Sequence, residues 1–148
     1  MEIKILKIKR NQPERVEIRC HEVTEQVREI ADFVRSRQGR LTGYMEGRQF
    51  EIPVMDIHYI EAVDNRVFLY SSGEVYETRQ KLYELEEILR EKYFLRISKS
   101  TLLNLMKVSA LKPALNGRFQ ALLHSGEEVI ISRKYVPELK KALKGGVS

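Results

Sequence analysis

Cysteine is nearly absent from this 148-residue sequence, and long apolar runs are missing. Cys20 is the single cysteine, so the chain cannot form an internal disulfide. A lone cysteine in an alternating segment is expected to be a small buried residue. The longest apolar run, residues 102–106, is interrupted by Asn104 and is far too short to cross a membrane. Lysines break up the first residues, which excludes a signal peptide. We therefore predict a cytoplasmic protein.

Residue patterns typical of catalytic and metal sites are also scarce. The three histidines, His21, His58 and His124, are far apart in the sequence, and no pair has the spacing of zinc ligands. The sequence contains neither a glycine-rich phosphate loop nor the nucleophile elbow of hydrolases. We therefore predict that the chain is not an enzyme and has no cofactor or metal site.

Positive charge is unevenly distributed, although the net charge is only +5. Residues 1–89 contain 14 Lys or Arg and 17 Asp or Glu, a balance of −3, whereas residues 90–148 contain 12 and 4, a balance of +8. A basic half joined to a mildly acidic half indicates a surface for a polyanion, most commonly nucleic acid. A solvated lysine-rich face explains the charge alone equally well.

Hydrophobic periodicity predicts a mainly β protein, of the α+β class, with antiparallel sheets and short helices. Alternation over residues 2–9 and 15–20, with a turn at 11–13, predicts a hairpin, and a 3.6-residue period predicts a helix over residues 22–37. These segments form a small β-β-α element at the N-terminus. An antiparallel meander over residues 41–78 and a helix over residues 80–90 are expected to follow.

The C-terminal half shows the same alternation, with one helix at its end. Strands are predicted at residues 111–115, 118–123 and 127–131, with a hairpin turn at Asn116-Gly117. Ser132 is expected to cap a closing helix that runs to about Leu143, with Pro137 in its first turn and with order ending at Gly145-Gly146.

The segment 93–109 is central to this pattern. Its first half interleaves basic and hydroxyl side chains with apolar ones, and its second half is almost entirely apolar. Such a segment is expected to anchor itself in a core and to hold Arg96, Ser98, Lys99 and Ser100 at an edge.

Two further connections between predicted β elements carry basic residues. Asn65 and Arg66 follow Asp64 at a hairpin turn, and Ser132, Arg133 and Lys134 stand at the start of the last helix. Each of the three connections has a purely structural explanation, as a turn, a protective edge lysine or a helix cap. Free N–H groups at a helix start, with Ser and Arg beside them, also suit phosphate or base contact. The candidate DNA-contacting residues are therefore Asn65, Arg66, Arg96, Ser98, Lys99, Ser100, Ser132, Arg133 and Lys134.

Several segments in order resemble the LytTR family of bacterial DNA-binding domains. They are IxYIEAVDNRVFLY ending at Tyr70, Tyr76-Glu77-Thr78 with the leucine helix after it, FLRISKSTLLNL, and ISRKYVPELKKAL. The resemblance covers about residues 41–143, and the order and spacing of four segments make it specific.

The resemblance implies a fold in which loops between strands, and not a recognition helix, contact two major grooves and the minor groove between them. By alignment, the family's base-contacting positions fall near Asn65 and Arg66, at Lys99 and at Arg133. The family often has His where this chain has Ser98, so a contact at that position is expected to reach phosphate. Arg66, Lys99 and Arg133 are expected to carry most of the contact with double-stranded DNA.

Residues 1–39 precede this DNA-binding domain, which we assign to residues 40–148. Many family members carry a receiver domain in front, but about forty residues are too few for one. Single-domain members resemble regulators controlled by a partner, often a membrane protein. We therefore predict that the N-terminal element mediates dimerisation or partner binding, and that a homodimer binds repeated promoter sites. A helix that simply packs on the β core is the alternative.

Two other functions stay open at the level of sequence. A protein-interaction module or anti-regulator could have the same fold without binding DNA. A binder of single-stranded RNA would use exposed aromatic side chains on a strand face, for which Tyr59, Phe68 and Tyr70 are available.

Overall fold

The computed structural model describes residues 1–36 and 38–147, which form ten strands and three α-helices. The helices are α1 (Glu25–Ser36), α2 (Leu82–Ile88) and α3 (Val136–Val147). The strands are β1 (Arg40–Met45), β2 (Arg48–Pro53), β3 (Ile57–Val63), β4 (Arg66–Ser71), β5 (Glu74–Thr78), β6 (Phe94–Arg96), β7 (Thr101–Asn104), β8 (Val108–Pro113), β9 (Phe119–Leu123) and β10 (Glu128–Ile131). The predicted fold class, antiparallel sheets with short helices, is confirmed.

The strands form two antiparallel sheets. One has seven strands in the order β2-β1-β5-β4-β3-β7-β6, and the other has three in the order β10-β9-β8. Two-residue turns join β1 to β2, β3 to β4 and β4 to β5. In the second of these turns Asp64 and Asn65 have φ angles of 51° and 64°, as a type I′ turn requires. Because such turns match the twist of the strands, short connections are sufficient to join neighbouring strands of the meander.

Two hydrophobic clusters lie on opposite sides of the large sheet, and β7 contributes to both. Leu102 packs in the cluster that contains Leu85 and Leu89 from α2 and the turn after it. Its neighbour Leu103 packs in the cluster that contains Leu123 of β9 and Leu139 of α3. Adjacent side chains on a strand point to opposite faces, so β7 is sandwiched between α2 and the small sheet. This burial holds the connection before β7 in a fixed place.

The predicted N-terminal hairpin is not formed. Over residues 1–24 the structure has no strand, although the turn is present, since the Gln12 N–H donates to the Lys9 carbonyl at 3.0 Å. Ile3 and Ile5 are 88% and 92% exposed. A two-stranded hairpin with nothing to pack against is marginal in water, which explains why alternation alone did not produce strands here. Cys20 is exposed, so the expectation of a buried cysteine was wrong.

The helix boundaries differ from the predictions for local reasons. Helix α1 begins at Glu25 because Thr24 caps it: its Oγ1 accepts from the Val27 N–H at 3.3 Å. The predicted end at Arg37 falls outside the described residues. Helix α3 begins at Val136, after a 3₁₀ turn at Arg133–Tyr135, and it runs through Gly145-Gly146 to Val147. Within the described part of the chain, the Ser132 side chain makes no capping bond.

Candidate nucleic-acid interface

Main-chain hydrogen bonds bring the three basic connections to one end of the molecule. The Ala62 N–H, close to the β3–β4 turn, donates to the Ser100 carbonyl at 2.8 Å. On the other side of the same loop, the Ser132 N–H donates to the Ile97 carbonyl at 2.8 Å. The β6–β7 loop therefore lies between the β3–β4 turn and the segment that follows β10. Residues from distant parts of the sequence form one continuous edge.

Arg66 opens β4 directly after the β3–β4 turn, and its guanidinium is held by Glu77 of β5. Nε of Arg66 donates to Oε2 of Glu77 at 3.1 Å, and Nη2 donates to Oε1 at 2.6 Å. This hydrogen-bonded pair lowers the pKa of Glu77 and raises the pKa of Arg66. The guanidinium also lies 5.2 Å from the centre of the Phe68 ring. The Arg66 side chain nevertheless stays 60% exposed.

Arg96 has its donors directed at its own loop. Its Nε donates to the Ser98 carbonyl at 2.9 Å, and its Nη2 donates to the Lys99 carbonyl at 2.7 Å. The remaining nitrogen, Nη1, donates to Oε1 of Glu86 at 2.8 Å. The Arg96 side chain is only 22% exposed. Arg96 thus ties the loop between β6 and β7 to helix α2, a role that the sequence did not reveal.

The two serines of this loop also bond within it, and Lys99 extends outward. The Ser98 hydroxyl accepts from the Ser100 N–H at 3.2 Å, and the two hydroxyl oxygens are 3.4 Å apart. Lys99 is exposed between them. A loop fixed from inside, with one cation at its tip, is suited to contact with an anion.

Arg133 is exposed, and its stem lies across the connection between β8 and β9. A Cβ on Gly117 would be only 2.8 Å from Cδ of Arg133, so only glycine allows this approach. Gly117 also has a φ angle of +74°, which glycine adopts without strain. The sequence predicted a turn at Asn116-Gly117 but not its contact with Arg133. Next to Arg133, Nζ of Lys134 lies 5.6 Å from the centre of the Tyr135 ring.

A stacked pair of tyrosines on β3 and β4 lies where the large sheet meets the small one. The rings of Tyr59 and Tyr70 stack with centroids 4.4 Å apart. The Tyr59 hydroxyl donates to Oε2 of Glu127 at 2.5 Å, and the Tyr70 hydroxyl donates to Oε1 of Glu61 at 3.4 Å. Burial first, and then these carboxylates, raise the pKa of both phenols. Tyr59 therefore links β3 to the turn before β10, and each ring covers one face of the other.

Within residues 1–36 and 38–147, no three His, Cys, Asp or Glu side chains are grouped as metal ligands would be. No helix in the same ranges has the length and apolar character needed to cross a membrane.

Comparison with known proteins identifies the family. The sequence model of the family described as the LytTr DNA-binding domain matches residues 47–144. The chain belongs to the LytTR family. The predicted resemblance is thereby confirmed, and a DNA-binding family agrees with the prediction that the chain is not an enzyme.

LytTR relatives of two kinds are similar to this chain. The sensory transduction protein LytT of Bacillus cereus is 31% identical over 93 residues, which are 63% of this chain and 38% of that protein. The chain thus spans about two fifths of the length of such relatives. An uncharacterized HTH-type transcriptional regulator of Staphylococcus aureus is 27% identical over 130 residues, 86% of this chain and 88% of that protein.

A solved LytTR structure supports the fold. It is the LytTr DNA-binding domain of a methyl-accepting/DNA response regulator from Bacillus cereus, with a TM-score of 0.68 and 23% identity. The similarity covers 72% of this chain and 97% of the other. At that identity the likeness concerns the fold alone, and the candidate contacts depend on the geometry described above.

Proposed function

We propose that the chain is a bacterial transcription regulator that binds double-stranded DNA sequence-specifically through the connections between its strands. The observation that carries this proposal is the single edge formed by three basic connections, joined by the hydrogen bonds from Ala62 to Ser100 and from Ser132 to Ile97. Each connection presents exposed positive charge, from Arg66, from Lys99, and from Arg133 with Lys134. Cations carried on one firm edge are suited to contact the phosphates and base edges of a duplex.

The candidate residues divide into contacts and supports. Arg66, Lys99 and Arg133 contact bases or phosphates, and Asn65 at the turn can reach an adenine edge by paired hydrogen bonds. Ser98, Ser100, Ser132 and Lys134 stand beside them as phosphate donors. Arg96 acts from within, because its donors are directed at loop carbonyls and Glu86. This division makes Arg96 a positioning residue and not a DNA contact.

The alternative of single-stranded RNA binding has less support. Such a surface needs free aromatic faces on which bases can stack. Tyr59 and Tyr70 stack on each other, and the Phe68 ring lies beside the Arg66 guanidinium. The titration described next distinguishes a DNA-binding regulator from a protein-interaction module that has the same fold and does not bind DNA.

A fluorescence anisotropy titration tests the proposal. The probes are a duplex selected from a random-sequence pool by the full-length chain and a scrambled duplex of equal length, each at several salt concentrations. We expect tighter binding to the selected duplex, with affinity falling steeply as salt rises because counterions are released from the phosphates. Failure to enrich any duplex, with no salt-dependent binding to the pool, would overturn the proposal and favour a protein-interaction module.

Arg133→Ala tests a base contact against a phosphate contact. If Arg133 reads a base, the selected duplex should lose about 1–3 kcal/mol of binding free energy and the scrambled duplex much less. Lys141→Ala removes the same charge from an exposed position on α3 and serves as the control. Equal weakening on both duplexes would instead assign Arg133 to a phosphate.

We also propose that the chain acts as a homodimer on repeated promoter sites, through residues 1–39. Apolar side chains in this element are strongly exposed, among them Ile3, Ile5 and Val16 at 88%, 92% and 66%. Extending the turn that joins Lys9 and Gln12 would place Ile5 opposite Val16, Ile3 opposite Ile18 and Lys4 opposite Glu17. Such pairing is favourable once a second surface covers the apolar face. A second copy of the chain is the proposed partner, and a regulatory membrane protein is the alternative.

A further inference from the structure

Arg66 and Glu77 form a fork-to-fork pair that uses one particular side of the guanidinium. Four of the five N–H donors of a guanidinium lie in pairs along a side edge, made by Nε and one Nη, and an end edge, made by the two Nη atoms. Glu77 accepts from Nε at 3.1 Å and from Nη2 at 2.6 Å, so it occupies the side edge. The end edge keeps two parallel N–H donors, one on Nη1 and one on Nη2.

The surroundings of Arg66 fix the plane of that end edge. The carboxylate comes from β5, the strand hydrogen-bonded to β4, where Glu77 lies opposite Phe68. The Phe68 ring supports the guanidinium from its face, with its centre 5.2 Å away. Both supports are on paired strands of the large sheet, so neither depends on a flexible loop. An arginine held at its side edge and its face has lost most of its rotational freedom before any ligand arrives.

The free end edge has the geometry of a guanine reader. Guanine presents O6 and N7 together in the major groove, and an arginine binds both with two parallel N–H donors. After the contact with Glu77, the end edge is the one edge of Arg66 that keeps a parallel pair of N–H donors. A phosphate would accept donors from many directions and would gain little from such orientation.

A carboxylate beside a DNA-binding edge needs an explanation. Its charge repels phosphates, so Glu77 lowers the affinity for any duplex. The hydrogen bonds from Arg66 keep the pKa of Glu77 low, so the carboxylate stays charged at neutral pH. A group that weakens general binding but orients a base-reading side chain raises the ratio of specific to non-specific affinity.

We infer that Glu77 is a positioning residue for sequence specificity, which directs the end edge of Arg66 at a guanine in the major groove. This inference rests on the proposed function, because it requires Arg66 to contact bases.

The test compares Glu77→Gln with the wild-type chain on the selected and scrambled duplexes. Glutamine keeps the shape but presents one oxygen and one NH₂ group, so it cannot accept both N–H bonds. We expect the ratio of the two affinities to fall about five- to tenfold, a part of what one arginine–guanine pair supplies. Affinity for the scrambled duplex should stay level or rise. Glu87→Gln is the matched control, because it breaks an exposed 2.7 Å pair between α2 and Arg90 in the turn after it.

Two further measurements separate positioning from other roles. In the double variant Arg66→Ala/Glu77→Gln, the ratio should equal that of Arg66→Ala alone, because Glu77 then has nothing to orient. Replacing guanines of the selected duplex singly by 7-deazaguanine removes N7. One such position should weaken wild-type binding and leave the Arg66→Ala variant unaffected. A misfolded fraction would lower apparent binding on both duplexes equally and leave the ratio unchanged.

The possible outcomes distinguish this inference from the proposed function. If Glu77→Gln tightens binding to both duplexes equally, the carboxylate only repels phosphate and the inference is wrong. The inference is also wrong if no guanine substitution depends on Arg66, or if Arg66→Ala leaves the ratio unchanged, although binding through the other connections would stand. A wild-type chain that does not distinguish the duplexes would overturn the proposed function itself.

Discussion

Arg96 and Arg133 differ at the scale of single residues because of what their guanidinium groups already contact. In sequence each arginine lies within two residues of a serine, at or just after the end of a strand. In the fold, Arg96 donates to two loop carbonyls and to Glu86, whereas Arg133 is exposed and lies over Gly117. Sequence reasoning found both as basic candidates but could not separate them, because their partners come from distant positions in the chain.

His58 gives a residue-scale prediction about pH. Burial and the nearby charge of Lys107 lower its pKa from the ordinary value of 6.5, although Glu127 and Asp56 oppose the shift. As the pH falls, His58 therefore binds a proton at a higher pH in the unfolded chain than in the folded chain. The stability due to neutral His58 is present above pH 6.5 and is lost as the pH falls below it.

Urea unfolding at pH values on both sides of 6.5 checks this sign. We expect the free energy of unfolding of the wild-type chain to fall with pH more steeply than that of His58→Gln. His124→Gln is the control for the loss of a histidine. Equal slopes for the wild type and His58→Gln would contradict the prediction.

At the scale of elements, the strands bounded by turn residues were predicted correctly, whereas the predicted N-terminal strands are not formed. The turn at Asp64-Asn65 was correct because its residues favour the positive φ angles that the structure has. Residues 2–9 and 15–20 also alternate, but the described chain offers them no surface, and exposed alternation is not enough to form strands. A pattern indicates which face would be buried, whereas burial itself depends on what covers that face.

The β6–β7 loop gives an element-scale prediction. Arg96→Ala removes three charged hydrogen bonds from the loop, and such bonds contribute about 1.5–3 kcal/mol each at most. We expect a loss of about 1–3 kcal/mol in the free energy of unfolding, together with weaker binding to the selected duplex.

Urea unfolding and anisotropy on the same samples measure both effects of this substitution. Arg90→Ala, which breaks an exposed pair with Glu87, is the control and should cost less than about 1 kcal/mol. A variant as stable as the wild type that still loses DNA affinity would show Arg96 to be a direct contact, contrary to our assignment.

At the scale of the whole molecule, the fold separates a firm DNA-binding body from an exposed N-terminal element. The body is built around β7, whose two leucines enter different clusters. Helix α1 contacts α3 and the turn at Arg90–Lys92, so this helix packs on the body, as the alternative reading of the sequence expected. Residues 1–23 are then left as the candidate interface.

Deleting residues 1–23 tests that interface while keeping the Thr24 cap of α1. We expect light scattering to give the mass of two chains for the full-length protein and of one chain for the deletion. Ile5→Glu/Val16→Glu should act like the deletion, because it places charges on the proposed apolar face. Tyr83→Glu alters an aromatic residue on α2 that is 71% exposed and should change nothing. A full-length protein with the mass of one chain, or a deletion variant with the mass of two chains, would contradict dimerisation through this segment.

The hydrogen bonds that join the three connections come from the main chain, and this has a consequence for how such a protein can change its target. The bonds from Ala62 to Ser100 and from Ser132 to Ile97 do not depend on which side chains these positions carry. Lys99 and Arg133 can therefore be exchanged for other residues without moving the loops that present them. Under the proposed function, a duplicated copy of the gene could acquire a new operator by a few substitutions at the edge, with the scaffold left intact.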